Sequence, residues 1–165
     1  VYIPVSQREQ NVFFINDTGR LNITTGASGL GDLGNSRALL TVDLDNDGDL
    51  DLVVNNYHGA AKIYRNELPI KPSQSVFVSV QGSPEQGVNL DGIGTQVIAH
   101  LKSGSKIWRE IRGSGGYMSV QPKQLHFGQA ADKFLQLDII WPNGKQQRVP
   151  GPFTHHAIDV TYQPD

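Results

Sequence analysis

Cysteine is absent from this chain of 165 residues. That absence excludes a disulfide framework, a thiolate zinc site, a cysteine nucleophile and a c-type haem attachment. It also means that cysteine usage indicates neither an oxidising nor a reducing compartment.

An excess of one charge is missing too. Fourteen Lys and Arg stand against 16 Asp and Glu, for a formal net charge of −2, and the basic residues are scattered along the chain. A nucleic-acid-binding protein would carry a basic stripe or patch, so we expect no nucleic-acid partner.

Long apolar segments are absent as well. No stretch reaches the roughly 20 residues of a membrane-spanning helix, and no charged-then-apolar signal segment opens the chain, so we expect no membrane span. The first residue is Val1 rather than Met, and we expect a processed product or a fragment. The length predicts one compact domain or two small ones.

Glycine and short apolar runs are what the sequence does contain. There are 18 glycines, and the apolar residues come in short bursts bounded by turn residues rather than in long faces of 3.6-residue period. This pattern predicts an all-β protein. The predicted strands are 12–15, 38–42, 50–54, 61–64, 76–80, 95–101, 106–112, 124–127, 135–139 and 157–162.

Two prolines, Pro69 and Pro72, predict a linker over residues 68–73, because proline cannot donate to a strand ladder. We therefore predict a first β unit over residues 1–68 and a second β domain over 69–165. Alternation along the second part predicts an antiparallel β-sandwich or small barrel. One face of its strands would carry Val76, Val78, Val80, Leu135, Leu137 and Ile139.

The densest chemical signal is a run of five aspartates within nine residues, at alternate positions around Gly48. Such like charge in one turn repels itself unless a hard divalent cation binds, and calcium takes carboxylate ligands at this spacing. Gly48 suits the sharp turn. The predicted calcium ligands are Asp43, Asp45, Asp47, Asp49 and Asp51.

The spacing is that of an EF-hand loop, but the rest of that motif is missing. An EF-hand needs an acidic residue at loop position twelve and a helix on each side. Val54 stands at that position, and both flanks have strand character. The simpler alternative is a plain Asp47-Gly48 hairpin turn with solvated acids, which is less favoured because a turn needs no acid at every second position.

Residues 43–56, with Tyr64-Arg65-Asn66 after them, resemble the FG-GAP or VCBS propeller repeat. That resemblance implies one propeller-type blade with a calcium loop between two strands. The rest of the chain resembles the ASPIC/UnbV domain. The phrases that carry this second resemblance are Gly92-Ile93-Gly94, Arg109-Glu110-Ile111, Gly113 to Tyr117, Ser119-Val120-Gln121, His126-Phe127-Gly128 and Trp141-Pro142-Asn143-Gly144.

These observations together favour a non-enzymatic, secreted or cell-surface module, stabilised by structural calcium, that mediates adhesion or self-assembly. The expected partners are other proteins or copies of the chain, joined through exposed strand edges such as residues 1–15, with glycans as a further class. The alternative is a carbohydrate-binding or enzymatic module that uses the glycine-rich Arg109–Tyr117 region, with His126 beside it. A transition-metal site at His155-His156 is disfavoured, because adjacent strand residues point to opposite faces.

Overall fold

A computed structural model describes residues 9–68, 74–128, 132–153 and 157–163. Within these residues the regular secondary structure consists almost entirely of strands, as the sequence predicts, and the one α-helix, α1, is the four-residue turn Thr25–Ser28. The strands are β1 (Phe14–Asp17), β2 (Arg20–Ile23), β3 (Ser36–Val42), β4 (Asp51–Asn56), β5 (Lys62–Tyr64), β6 (Ser75–Gln81), β7 (Gln96–Leu101), β8 (Lys106–Glu110), β9 (Gln124–Gly128), β10 (Phe134–Ile140), β11 (Gln146–Pro150) and β12 (Ala157–Thr161).

Strands β6 to β12 form two open sheets that share one hydrophobic core. The first sheet has the order β11-β10-β7-β8 and the second the order β12-β6-β9, and the described strands close no barrel. Val76, Val78 and Val80 lie in this core, on the face that the alternation predicts. Burying each such side chain stabilises the fold by about 1.5–3 kcal/mol. We call this part of the molecule the sandwich.

One pairing departs from the antiparallel arrangement that was expected: β12 runs parallel to β6. The chain leaves β11 in one sheet and enters β12 in the other. A crossover between sheets can deliver a parallel strand, whereas a short hairpin cannot.

The inward face predicted for β10 is correct at Leu137 and Ile139 and wrong at Leu135. Leu135 is 51% exposed, while its neighbour Phe134 is 3% exposed and lies in the core. The register against β7 shifts between Phe134 and Gln136. Such a bulge changes which side chains face inward.

Strands β2 and β11 were not predicted. Every residue of β2 is exposed, and β11 alternates exposed and half-buried residues around polar side chains. Neither strand carries the apolar run that marks a buried strand. Residues 69–73 of the predicted linker lie outside the described part of the chain, so the boundary at 68/69 stays a prediction.

The N-terminal part forms a three-stranded antiparallel sheet of order β3-β4-β5, beside the β1-β2 hairpin. The acidic run lies in the connection between β3 and β4, where Val42 pairs with Asp51. Two sandwich side chains reach this sheet: Gln121 hydrogen-bonds to Thr41, and His126 to the carbonyl of Gly48.

Candidate metal centre

The acidic loop, residues 43–51, is a tight connection shaped by two residues with left-handed backbone conformation. Asn46 has φ of 60° and Gly48 has φ of 99°. Glycine adopts such values without steric cost, and asparagine tolerates them better than most residues. This explains why glycine stands at the sixth position of the loop.

Several aspartates also hold the loop together through backbone donors. Asp43 accepts hydrogen bonds from the N–H groups of Asp47 (3.2 Å) and Gly48 (3.1 Å). Asp51, which is 1% exposed, accepts from Leu44 N–H at 2.9 Å and from Asn66 N–H at 2.8 Å. Backbone donors therefore orient the carboxylates of Asp43 and Asp51 in the closed loop.

Three of the five predicted ligands converge. Asp43, Asp45 and Asp51 each offer one oxygen, and these oxygens lie within 4.8 Å of one another. Calcium binds oxygen at 2.3–2.6 Å, so two ligands of one ion can stand up to roughly 5 Å apart. The three oxygens therefore fit around a single hard cation.

Asp47 and Asp49 are not part of this triplet. Asp47 Oδ1 accepts a hydrogen bond from Asp49 N–H at 3.1 Å, which closes the turn. Asp49 is 2% exposed, and neither of its carboxylate oxygens accepts a hydrogen bond from any residue that the structure describes.

The buried carboxylate of Asp49 is the feature of the loop that most favours a bound cation. Burial, reinforced by the charges of Asp47, Asp51, Asp45 and Asp43, raises the pKa of Asp49 to about 6. A buried polar group without a partner costs about 1–3 kcal/mol, and more when charged. A divalent ion in the loop would offset that cost.

Two residues after β5 complete the surroundings of the loop. Asn66 donates its backbone N–H to Asp51, and its side-chain amide reaches the carbonyl of Leu50 at 3.4 Å. Arg65 places its guanidinium 3.4 Å from Asp45. Sequence reasoning did not assign these contacts, although the Tyr64-Arg65-Asn66 phrase was part of the repeat resemblance.

His126 of the sandwich contacts the loop directly. Its Nε2 lies 3.2 Å from the carbonyl oxygen of Gly48, and its ring packs against Phe77 with centroids 4.7 Å apart. Burial lowers the pKa of His126, and nearby Arg109 lowers it further, against opposing effects of Gly48 and Asp43. Burial thus favours the neutral form of the ring.

The rival site predicted around Arg109–Tyr117 is brought together in part. A groove of about 440 Å³ runs between the sandwich and the acidic loop, and Arg109, Glu110, His126 and Asp43 line it. Tyr117 is 69% exposed and does not line this groove. His155 and His156, the disfavoured transition-metal pair, lie outside the described residues.

Residues 85–164 match the family model described as ASPIC and UnbV. Similar curated proteins are named cartilage acidic protein 1. The one from Xenopus tropicalis is 29% identical over 130 residues, which cover 73% of this chain and 18% of that protein. The Mus musculus and Homo sapiens proteins are each 25% identical over 136 residues, 76% of this chain and 20% and 19% of theirs. The chain spans about a fifth of the length of these relatives.

The matched segment coincides with the larger part of the sandwich. It begins at Glu85 and takes in β7 to β12. Strand β6 precedes it, although β6 is the central strand of its sheet.

Proposed function

Because residues 85–164 match the ASPIC and UnbV family, we propose that this chain is an extracellular calcium-binding β module in which the ion is structural. The acidic loop belongs to a blade of the FG-GAP or VCBS type, and the module serves adhesion or self-assembly rather than catalysis. The carrying observation is the pair formed by the Asp43, Asp45, Asp51 triplet and the buried Asp49 without a hydrogen-bond donor.

The chemistry of the donor set fits calcium. All the candidate ligands are carboxylate oxygens, which hard cations prefer, and the structure describes no nitrogen ligand in the triplet. Asp43, Asp45 and Asp51 would hold the ion. Its positive charge would offset the repulsion between Asp49 and the neighbouring carboxylates. An ion there would join the end of β3 to the start of β4, since Asp43 follows the first strand and Asp51 opens the second.

The size of the effect follows from mass action. Extracellular calcium modules bind with dissociation constants of about 10⁻⁴–10⁻³ M. At about 1 mM free calcium, such a site stabilises the folded chain by about 0.4–1.4 kcal/mol. This shift is measurable as a change in melting temperature.

The relatives and the exposed apolar surface bear on location and partners. The relatives are named for cartilage, which favours secretion or a cell-surface location. No helix in the described ranges has the length and apolar character to cross a membrane. Partner proteins or further copies are the proposed partners, because large apolar side chains are exposed on and beside the β1-β2 hairpin.

A carbohydrate-binding or enzymatic role is the second candidate. The groove beside Arg109 and Glu110 favours it, because it is concave and lined by charged and amide side chains. His126 Nε2 already hydrogen-bonds to the carbonyl of Gly48, so that atom is not available to a ligand in the groove. Titration of the chain with acidic and neutral oligosaccharides tests this role, and heat of binding lost in Arg109→Ala would support it.

The calcium proposal is tested by thermal unfolding in 1 mM calcium and in EGTA. We expect chelation to lower the melting temperature by a few degrees. Asp45→Asn should abolish most of that difference, because Asp45 belongs to the triplet and is exposed. Asp17→Asn, at the end of β1, is the matched control and should retain it. Identical melting curves for the wild type with and without calcium would overturn the proposal.

A further inference from the structure

Gln121 of the sandwich binds the edge of the sheet that carries the acidic loop. Its Oε1 accepts hydrogen bonds from Thr41 N–H (2.9 Å) and Thr41 Oγ1 (3.1 Å), and its Nε2 donates to the carbonyl of Leu39 at 3.1 Å. Strand β3 is an edge strand, so these backbone groups face away from β4. The carboxamide of Gln121 thus takes the place of a neighbouring strand's peptide group.

His126 binds the loop itself. A carbonyl oxygen only accepts, so the His126 Nε2 that lies 3.2 Å from Gly48 O carries the proton and donates it. Phe77, which packs against the His126 ring, is 5% exposed and limits its movement. The ring is therefore a fixed donor aimed at the turn of the loop.

Gly48 connects this donor to the candidate ligands. Its N–H donates to Asp43 Oδ2 at 3.1 Å while its carbonyl accepts from His126. Gly48 lies between Asp47 and Asp49 in the chain. A shift of the turn that carries Asp47 and Asp49 therefore displaces the Gly48 carbonyl as well.

We infer that His126 and Gln121 are positioning residues for calcium, which hold the acidic loop in its ion-binding form from the sandwich side. The inference rests on the proposed calcium site. Without an ion, repulsion among the five aspartates opens the loop and the His126 contact is lost. With an ion, the loop closes on His126. Calcium affinity therefore depends on His126, which lies 78 positions along the chain from Gly48, and on Gln121, which lies 80 positions from Thr41. By reciprocity, the ion also strengthens the docking of the β3-β4-β5 sheet on the sandwich.

The test is calorimetric calcium titration of the full chain, with His126→Phe as the main variant. Phenylalanine keeps a ring against Phe77 and removes the N–H donor. We expect about three- to tenfold weaker calcium binding, the worth of one neutral hydrogen bond. His126→Gln, which can place an amide N–H near the same point, should recover part of the affinity.

Gln121→Leu and Gln124→Leu form a matched pair. Gln124 lines the same groove, but its amide donates to Ser79 Oγ within the sandwich (3.2 Å). We expect Gln121→Leu to weaken calcium binding and Gln124→Leu to leave it unchanged. Equal calcium affinity in the Gln121 and Gln124 variants would overturn the role of Gln121.

Melting experiments separate positioning from simple structural support. His126→Phe should melt at the wild-type temperature in EGTA, where the loop is open, and below it in calcium. An equal loss in both conditions would show a contact independent of the ion and overturn the inference. If the wild type binds no calcium, the proposed function itself is overturned. If the wild type and His126→Phe bind calcium with equal affinity, only the coupling to His126 is overturned.

Discussion

At the scale of single residues, Asp49 is the position where stability and ion binding conflict. Its carboxylate is buried, and no described residue donates a hydrogen bond to it. We predict that Asp49→Asn raises the melting temperature in EGTA, because closing the loop then no longer buries a charge beside four others. In calcium the same change should lower the stabilisation that the ion provides. Thermal unfolding in both conditions measures the two effects.

Asp47→Asn is the comparison for Asp49→Asn. Asp47 is half-buried, and its Oδ1 accepts a hydrogen bond from Asp49 N–H, a role that an asparagine oxygen can keep. Because Asp47 is less buried than Asp49, removing its charge relieves less repulsion. The increase in melting temperature in EGTA should therefore be smaller for Asp47→Asn than for Asp49→Asn. A loss of stability for Asp49→Asn in EGTA would contradict our view that the carboxylate is strained without an ion.

At the scale of elements, the bulge in β10 separates two leucines that simple alternation places together. Leu137 is fully buried in the core, and Leu135 is 51% exposed. We predict that Leu137→Ala costs about 2–5 kcal/mol of unfolding free energy, as for other buried leucines, and that Leu135→Ala changes it by about 0.5 kcal/mol or less. Urea unfolding of the two variants checks this, and similar losses in both would contradict the register.

At the scale of the whole molecule, exposed apolar surface is concentrated in the N-terminal part. A two-stranded hairpin is marginally stable alone, and the β1-β2 hairpin exposes all of its residues. We predict concentration-dependent self-association, seen by light scattering as a mass above that of the monomer. Exposed apolar residues of this region include Val12, Phe14, Ile15, Leu21, Ile23 and Ile63.

Lysine substitution tests whether that surface drives the association. Ile23→Lys, at a residue that is 68% exposed, should return the protein to monomer. Leu135→Lys adds the same charge at a 51% exposed position of the sandwich and should not. Monomer at every concentration of the wild type would remove self-assembly from the proposed function.

Much of the secondary structure could be predicted because its signals are local. Turn residues bound short apolar runs, and alternation identifies the core face of β6. Strand β11 was not predicted because polar residues dominate it. The inward position of Phe134 in place of Leu135 was not predicted either, because a bulge depends on the partner strand. The ASPIC/UnbV resemblance is supported by the family match, whereas the propeller-type blade stays a prediction.

The sequence by itself determined the all-β class and the acidic spacing around Gly48, because both depend on residues within one turn or strand. Only the tertiary structure decided which carboxylates converge, that Asp49 is buried without a donor, and that β12 runs parallel to β6. It also brought Gln121 and His126 to the acidic loop. Those contacts are hydrogen bonds between the sandwich and the N-terminal part that join residues about 80 positions apart, and no local pattern specifies them.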